Sequence, residues 1–135
     1  MAKELKAPEL MNYAMFCGHG VLLRLICECL EEYGLDKKTI AAIGVGCSCH
    51  LKSGINVDLV QSPHGRAAAV ATGIRRAEPD KFVFSYQGDG DLAAIGTAET
   101  VHVGTRGENI VVIFINNTTY GMTGGQMAPT TLPGQ

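Results

Sequence analysis

The chain has 135 residues, 46% hydrophobic and 18% charged, with 11 Lys and Arg against 13 Asp and Glu. That length allows one domain with its own core, and a net charge of -2 excludes the overall basic field of a nucleic-acid binder. No stretch approaches the roughly eighteen uninterrupted apolar residues of a membrane span, and the opening "MAKELKAPELMNY" lacks the apolar core of a signal peptide, so a cytoplasmic location is expected.

Residues 1–16 read as an extended N-terminal segment. From Gly20 to Tyr33, Leu22, Leu25, Ile26, Cys29 and Leu30 recur at helical spacing, and Gly34 follows as a C-cap. "TIAAIGVGC" (Thr39 to Cys47) is a short apolar strand ending in glycines. In "SPHGRAAAVATGIRRAEPD" Ser62 offers a cap and Pro63 a first-turn residue for an Ala-rich helix. "KFVFSYQ" is a strand, "DLAAIGTAETVHVGTR" a helix, and "NIVVIFINN" an apolar run of the kind buried on both sheet faces. Strand, helix, strand in that order predicts a right-handed βαβ unit in a parallel sheet flanked by helices, an α/β fold. After Asn117 the Gly-, Thr- and Pro-rich "TTYGMTGGQMAPTTLPGQ" predicts a long loop, as expected of a domain incomplete at its C-terminus or of a subunit covered there by a partner.

The carboxyl ends of parallel strands line the ligand crevice. Gly88 to Asp91 follow one predicted strand and Asn116 to Thr119 the next, so the two loops should meet. A carboxylate from the first, with an amide oxygen and a backbone carbonyl from the second, makes an all-oxygen site for a hard cation such as Mg²⁺ or Ca²⁺. Gly88 and Gly90 would let backbone N–H groups approach a phosphate, and a helix starting near Asp91 would present its positive end. Taken alone, Gly-Asp-Gly also fits a helix cap and Asn-Asn a turn.

Paired across twenty-five intervening residues, these motifs resemble the diphosphate-binding signature of thiamine diphosphate enzymes. "HGRAAAVATGIRRAEPDKFVFSYQGDGDLAAIGTAE" and "IFINNTTYGMTGGQMAPTT" resemble, more narrowly, the β subunit of 2-oxoacid:ferredoxin oxidoreductases of the 2-ketoisovalerate or a related type. The resemblance runs from about Cys17 to the end. It implies the thiamine diphosphate-binding fold, with Asp89, the amide of Asn117 and the carbonyl of Thr119 as Mg²⁺ ligands. Gly46, Cys47, Ser48, His64, Asp91 and the turn Tyr120, Gly121, Met122, Thr123 would lie around the cofactor, with Gly88 and Gly90. His64 fits equally a solvated first-turn residue, and Arg66 fits an ion pair as well as a phosphate contact.

The family often binds a [4Fe–4S] cluster through four cysteines. Cys17 and Cys47 keep family positions, Ala14 stands where another cysteine is required, and Cys49 is an unproven substitute. Cys27 and Cys29 read as small core residues. An odd cysteine count of this kind fits a reducing compartment.

What the resemblance implies is coenzyme A-dependent oxidative decarboxylation of a 2-oxoacid to acyl-CoA and CO₂, with electrons passed to ferredoxin. The activating glutamate would come from a pyrimidine-binding α subunit, and a γ subunit would complete the assembly. "YGMTGGQ" carries no positive charge for a distal carboxylate such as that of 2-oxoglutarate, which favours branched or other 2-oxoacids unless a partner subunit supplies the charge. Two other readings stay open: a non-oxidative thiamine enzyme of the decarboxylase or acetolactate synthase kind, and a truncated, catalytically idle assembly subunit.

Overall fold

The computed structural model describes residues 18–135; the expected N-terminal segment 1–16, with Ala14, and Cys17 lie outside the described residues. Four parallel strands form the sheet: β1 (Thr39–Ile43), β2 (Asp58–Gln61), β3 (Phe82–Gly88) and β4 (Val111–Ile115), in the order β2-β1-β3-β4. Side-chain alternation along β1 and β3 divides the core between the two faces. Ala41, Ile43, Phe84 and Tyr86 pack with helix α1 (Gly18–Glu32) through Leu23, Ile26 and Leu30. Ala42 and Val83 pack with helix α2 (Ala67–Ala77) through Ala67 and Ala71. The first face is built from large side chains and the second from small ones, so α2 approaches the sheet closely.

Four expectations change in structural terms. The buried stripe of α1 is Leu23, Ile26 and Leu30, while Leu25 is 49% exposed and Cys29 is also exposed. Helix α1 has apolar residues around more than one face, and contact with Phe84 and Tyr86 selects which face is buried. Leu25 and Cys29 instead line an open apolar groove with Tyr33, Phe82 and Val111. Strand β4 ends the sheet among the described residues, and its Val111 and Phe114 are 43% and 41% exposed, so it is not buried on both faces.

Helix α2 begins at Ala67, not at the Ser62–Pro63 pair. Pro63 to Arg66 form a turn closed by Arg66 N donating to Pro63 O at 3.0 Å, with Gly65 at φ +76°. The segment after β3 is likewise divided, into a π-helical stretch (Gly90–Ile95) and helix α3 (Thr97–Arg106). Gly65 and Gly96 explain the break. A Cβ on Gly65 would stand 2.6 Å from Ile95 Cγ2, and one on Gly96 would stand 2.6 Å from Gly65 O. The chain between the two helical pieces is therefore pressed against the turn before α2.

Strand β2 has no counterpart in the sequence reading, because its "DLVQ" is a short, mostly exposed edge strand without apolar alternation. Between β1 and β2 runs a 3₁₀ segment (Cys47–Ser53). The expected C-terminal loop contains a small antiparallel hairpin, β5 (Thr119–Tyr120) with β6 (Gln126–Met127). No helix among the described residues is long and apolar enough to cross a membrane.

Candidate functional site

The carboxyl ends of β1, β3 and β4 open into one cleft. Its walls are Val45 to Ser48 after β1, His64 before α2, Gly88 to Asp91 after β3, and Asn117 with Thr119 to Thr123 after β4. The structure thus brings together every residue that the sequence reading assigned to the site. His19 of α1 and Val45 join them without having been singled out. His19 had a weak local signal, lying next to Gly18 at a helix start, but its partner Tyr86 lies 67 residues away.

The two aspartates of "GDGD" have different surroundings. Asp91 is buried and accepts from Gly65 N at 2.8 Å, Val45 N at 3.3 Å and Gln87 Nε2 at 2.6 Å, with His64 Nδ1 against its Oδ1. One carboxylate therefore ties the loops after β1 and before α2 to the end of β3. Gly44 leaves room for it, since a Cβ there would lie 2.0 Å from Asp91 Oδ2. Asp91 makes no side-chain cap, and the helical end it stands at is a six-residue π segment. A short segment supplies little of the helix dipole expected there.

Asp89 is equally buried and faces the other loop. Asn117 Oδ1 stands 3.0 Å from Asp89 Oδ1 and 2.9 Å from the carbonyl oxygen of Thr119. Three acceptors at that spacing repel unless something positive lies among them. Turning the Asn117 amide would let its NH₂ donate to both neighbours; a cation among the three oxygens would satisfy them without a turn. Ligands of an octahedral Mg²⁺ at about 2.1 Å stand about 2.9 Å from one another, so the spacing fits a small hard cation. Among the described residues no three His, Cys, Asp or Glu side chains gather as a metal group, and this set needs only one, because its other oxygens are an amide and a carbonyl.

Ser48 also lines the cleft; it is 1% exposed, and among the described residues its hydroxyl has no partner. An unpaired buried donor on a cavity wall fits a ligand rich in acceptor oxygens, such as a diphosphate. Gly90 has another use: a Cβ on it would stand 2.1 Å from Tyr120 Cε1, so its bareness admits the Tyr120 ring and draws β5 onto the loop after β3. Arg66 is an ion-pair residue, its guanidinium 2.9 Å from Glu99 Oε2 and 3.2 Å from Ile95 O. His19 and Tyr86 Oη share a 2.8 Å hydrogen bond, and burial, aided by the neighbouring His50, pushes the His19 imidazole down to about 4.

Residues 44–134 match the family model described as thiamine pyrophosphate enzyme, C-terminal TPP binding domain. The chain is 51% identical over 129 residues to the ketoisovalerate oxidoreductase subunit VorA of Methanothermobacter thermautotrophicus, a match covering 96% of this chain and 27% of that one. It is 44% identical over 116 residues to the 2-oxoglutarate synthase subunit KorB of Methanocaldococcus jannaschii, covering 85% of this chain and 43% of the relative. The structure superposes with a TM-score of 0.85 on the 2-oxoglutarate:ferredoxin oxidoreductase from Magnetococcus marinus, solved with 2-oxoglutarate, coenzyme A and succinyl-CoA bound, at 35% identity over 88% of this chain and 41% of that one. The chain thus spans less than half the length of these relatives.

Proposed function

Because this chain belongs to the thiamine pyrophosphate enzymes, as their C-terminal TPP-binding domain, we propose that it holds thiamine diphosphate and Mg²⁺ as the β subunit of a 2-oxoacid:ferredoxin oxidoreductase. The reaction is the coenzyme A-dependent oxidative decarboxylation of a 2-oxoacid to acyl-CoA and CO₂, with electrons passed to ferredoxin. The observation that carries this reading is the convergence of the Asp89 carboxylate, the Asn117 side-chain amide and the Thr119 carbonyl in a cleft that is also lined by Ser48, whose hydroxyl has no partner among the described residues.

Thiamine diphosphate, when bound, supplies the electron sink beside the 2-oxoacid carbonyl that makes loss of CO₂ accessible. This chain's residues do the holding. Asp89, Asn117 and Thr119 take the cation, and Ser48 with the backbone of Gly46 and Cys47 faces the diphosphate. Asp91 keeps the surrounding loops in register through Gly65 N and Val45 N. His64 and Gly88 border the cofactor, with the turn Tyr120 to Thr123 opposite.

Both carboxylates that line the cleft already have these tasks, and among the described residues no glutamate lines it. The activating group is therefore assigned to a pyrimidine-binding α subunit, with γ and ferredoxin completing a cytoplasmic assembly. Among the described residues no Lys or Arg lines the cleft, and the partly exposed Met122 and Val45 do, which supports a 2-oxoacid with a branched or other uncharged side chain. With Cys17 and Cys47 alone at family cluster positions, the anaerobically purified chain is expected to carry no stoichiometric iron.

Calorimetric titration with thiamine diphosphate, with and without Mg²⁺, tests the reading on the chain and on its native assembly. Binding that requires Mg²⁺ is expected; no Mg²⁺-dependent binding in either sample overturns it.

A further inference from the structure

The two oxygens of the Asp89 carboxylate face different partners. Oδ1 belongs to the oxygen triad with Asn117 and Thr119, while Oδ2 accepts a hydrogen bond from the Thr130 hydroxyl, 41 residues further along the chain. A carboxylate free to rotate about its last torsion can present one oxygen or both to a cation. A hydroxyl holding one oxygen leaves the other to face the site alone.

Thr130 itself is held in a built turn. Ala128 is buried, Thr131 N donates to Ala128 O at 2.9 Å, and Ala128 N donates to Thr131 Oγ1 at 2.8 Å. The Thr131 hydroxyl then donates to the Thr118 carbonyl at 2.5 Å. Thr118 lies between the other two triad residues and adopts φ +63°, a left-handed conformation that a β-branched residue takes only when its surroundings impose it. Gln135 Nε2 adds a bond to the Thr118 hydroxyl at 2.7 Å. One short turn thus supports both halves of the triad, through Asp89 on one side and Thr118 on the other.

We propose that Thr130 is a positioning residue that holds Asp89 in a one-oxygen presentation and so sets the preference of the site for Mg²⁺ over Ca²⁺. The chemistry follows from the two ions. Mg²⁺ demands near-ideal octahedral geometry from single oxygens, whereas Ca²⁺ accepts seven or eight ligands and readily takes a carboxylate by both oxygens. Groups that orient a ligand from behind typically change metal affinity by about 10–100-fold. The inference rests on the proposed function, since it assumes that the triad takes a cation with thiamine diphosphate.

The test compares wild type, Thr130→Val and Thr130→Ser in the native assembly, titrating thiamine diphosphate in the presence of Mg²⁺ or Ca²⁺ and reading heat and the circular dichroism of the bound cofactor. The Val variant is expected to bind about tenfold more weakly with Mg²⁺ while Ca²⁺-supported binding is unchanged or stronger, and Ser should restore the wild-type ratio to within about threefold. A Val variant with the wild-type Mg²⁺ to Ca²⁺ ratio, whether both affinities stay or fall together, overturns the proposal and leaves the cofactor reading standing. Absence of cation-dependent binding in wild type overturns both. If the Val variant does not fold, Thr130→Ala against Thr130→Ser makes the same comparison.

Discussion

The cleft has an inner half and an outer half, and they are held by different forces. The inner half, built from the ends of β1 and β3, stands directly on the packed core: Tyr86 and Ala42 are fully buried, and Asp91 gathers its donors away from water. The outer half, after β4, is largely exposed and is kept in shape by side-chain bonds, such as Thr119 Oγ1 to Gln126 O at 2.9 Å and Thr131 Oγ1 to the Thr118 carbonyl. Such bonds exchange with water and are worth about 1 kcal/mol each. The same kinds of oxygen and amide therefore form a preset wall on one side and an adjustable one on the other, and the cation would bind where the two meet.

Removing Asp91 attacks the preset wall. Asp91→Ala leaves Gly65 N, Val45 N and Gln87 Nε2 unpaired inside the protein, and a loss of about 3 kcal/mol or more in unfolding free energy is expected by denaturant titration. A loss below about 1 kcal/mol would mean that the inner half is not held through this carboxylate.

Asp89→Asn tests the seam. It removes the single negative ligand of the triad while keeping shape, so Mg²⁺-dependent binding of thiamine diphosphate should weaken at least about a hundredfold, or about 2.7 kcal/mol. Stability without cofactor should move far less than in the Asp91 variant. Equal destabilisation of the two would erase the distinction between the halves.

Acid distinguishes them further. The folded His19 imidazole titrates at about 4, against 6.5 for an ordinary histidine, so the unfolded chain binds more protons than the folded one between those values. Stability is then complete above about 6.5 and falls as the pH drops towards 4. Thermal unfolding across that window should show the decline in wild type, and a shallower slope in His19→Gln, which cannot take up the proton. The smallest effect belongs outside the cleft: Cys29→Ser, on the exposed side of α1, should change stability by less than about 0.5 kcal/mol and leave cofactor titration unaltered.

Much of this was legible in the chain alone, because it depends on local chemistry. β-Branched and aromatic runs mark β1, β3 and β4, the Ala-rich stretch marks α2, and the pairing of Gly-Asp-Gly with Asn-Asn marks the loops that meet at the carboxyl edge of the sheet. Short edge strand β2 and the hairpin β5–β6 carry no such pattern and are created by neighbours. Which face of α1 is buried depends on contact with Phe84, and where α2 begins and why the helix after β3 breaks at Gly96 depend on the close approach of Gly65 to Ile95 and Gly96, partners far apart in sequence. The same holds for the two aspartates. Their spacing shows that both stand at a strand end, but only the packing of distant loops gives Asp91 to the backbone of Val45 and Gly65, and Asp89 to Asn117 and Thr130. Hydrogen bonds and steric fit act over a few ångströms in space, and the fold alone decides which residues come within that range.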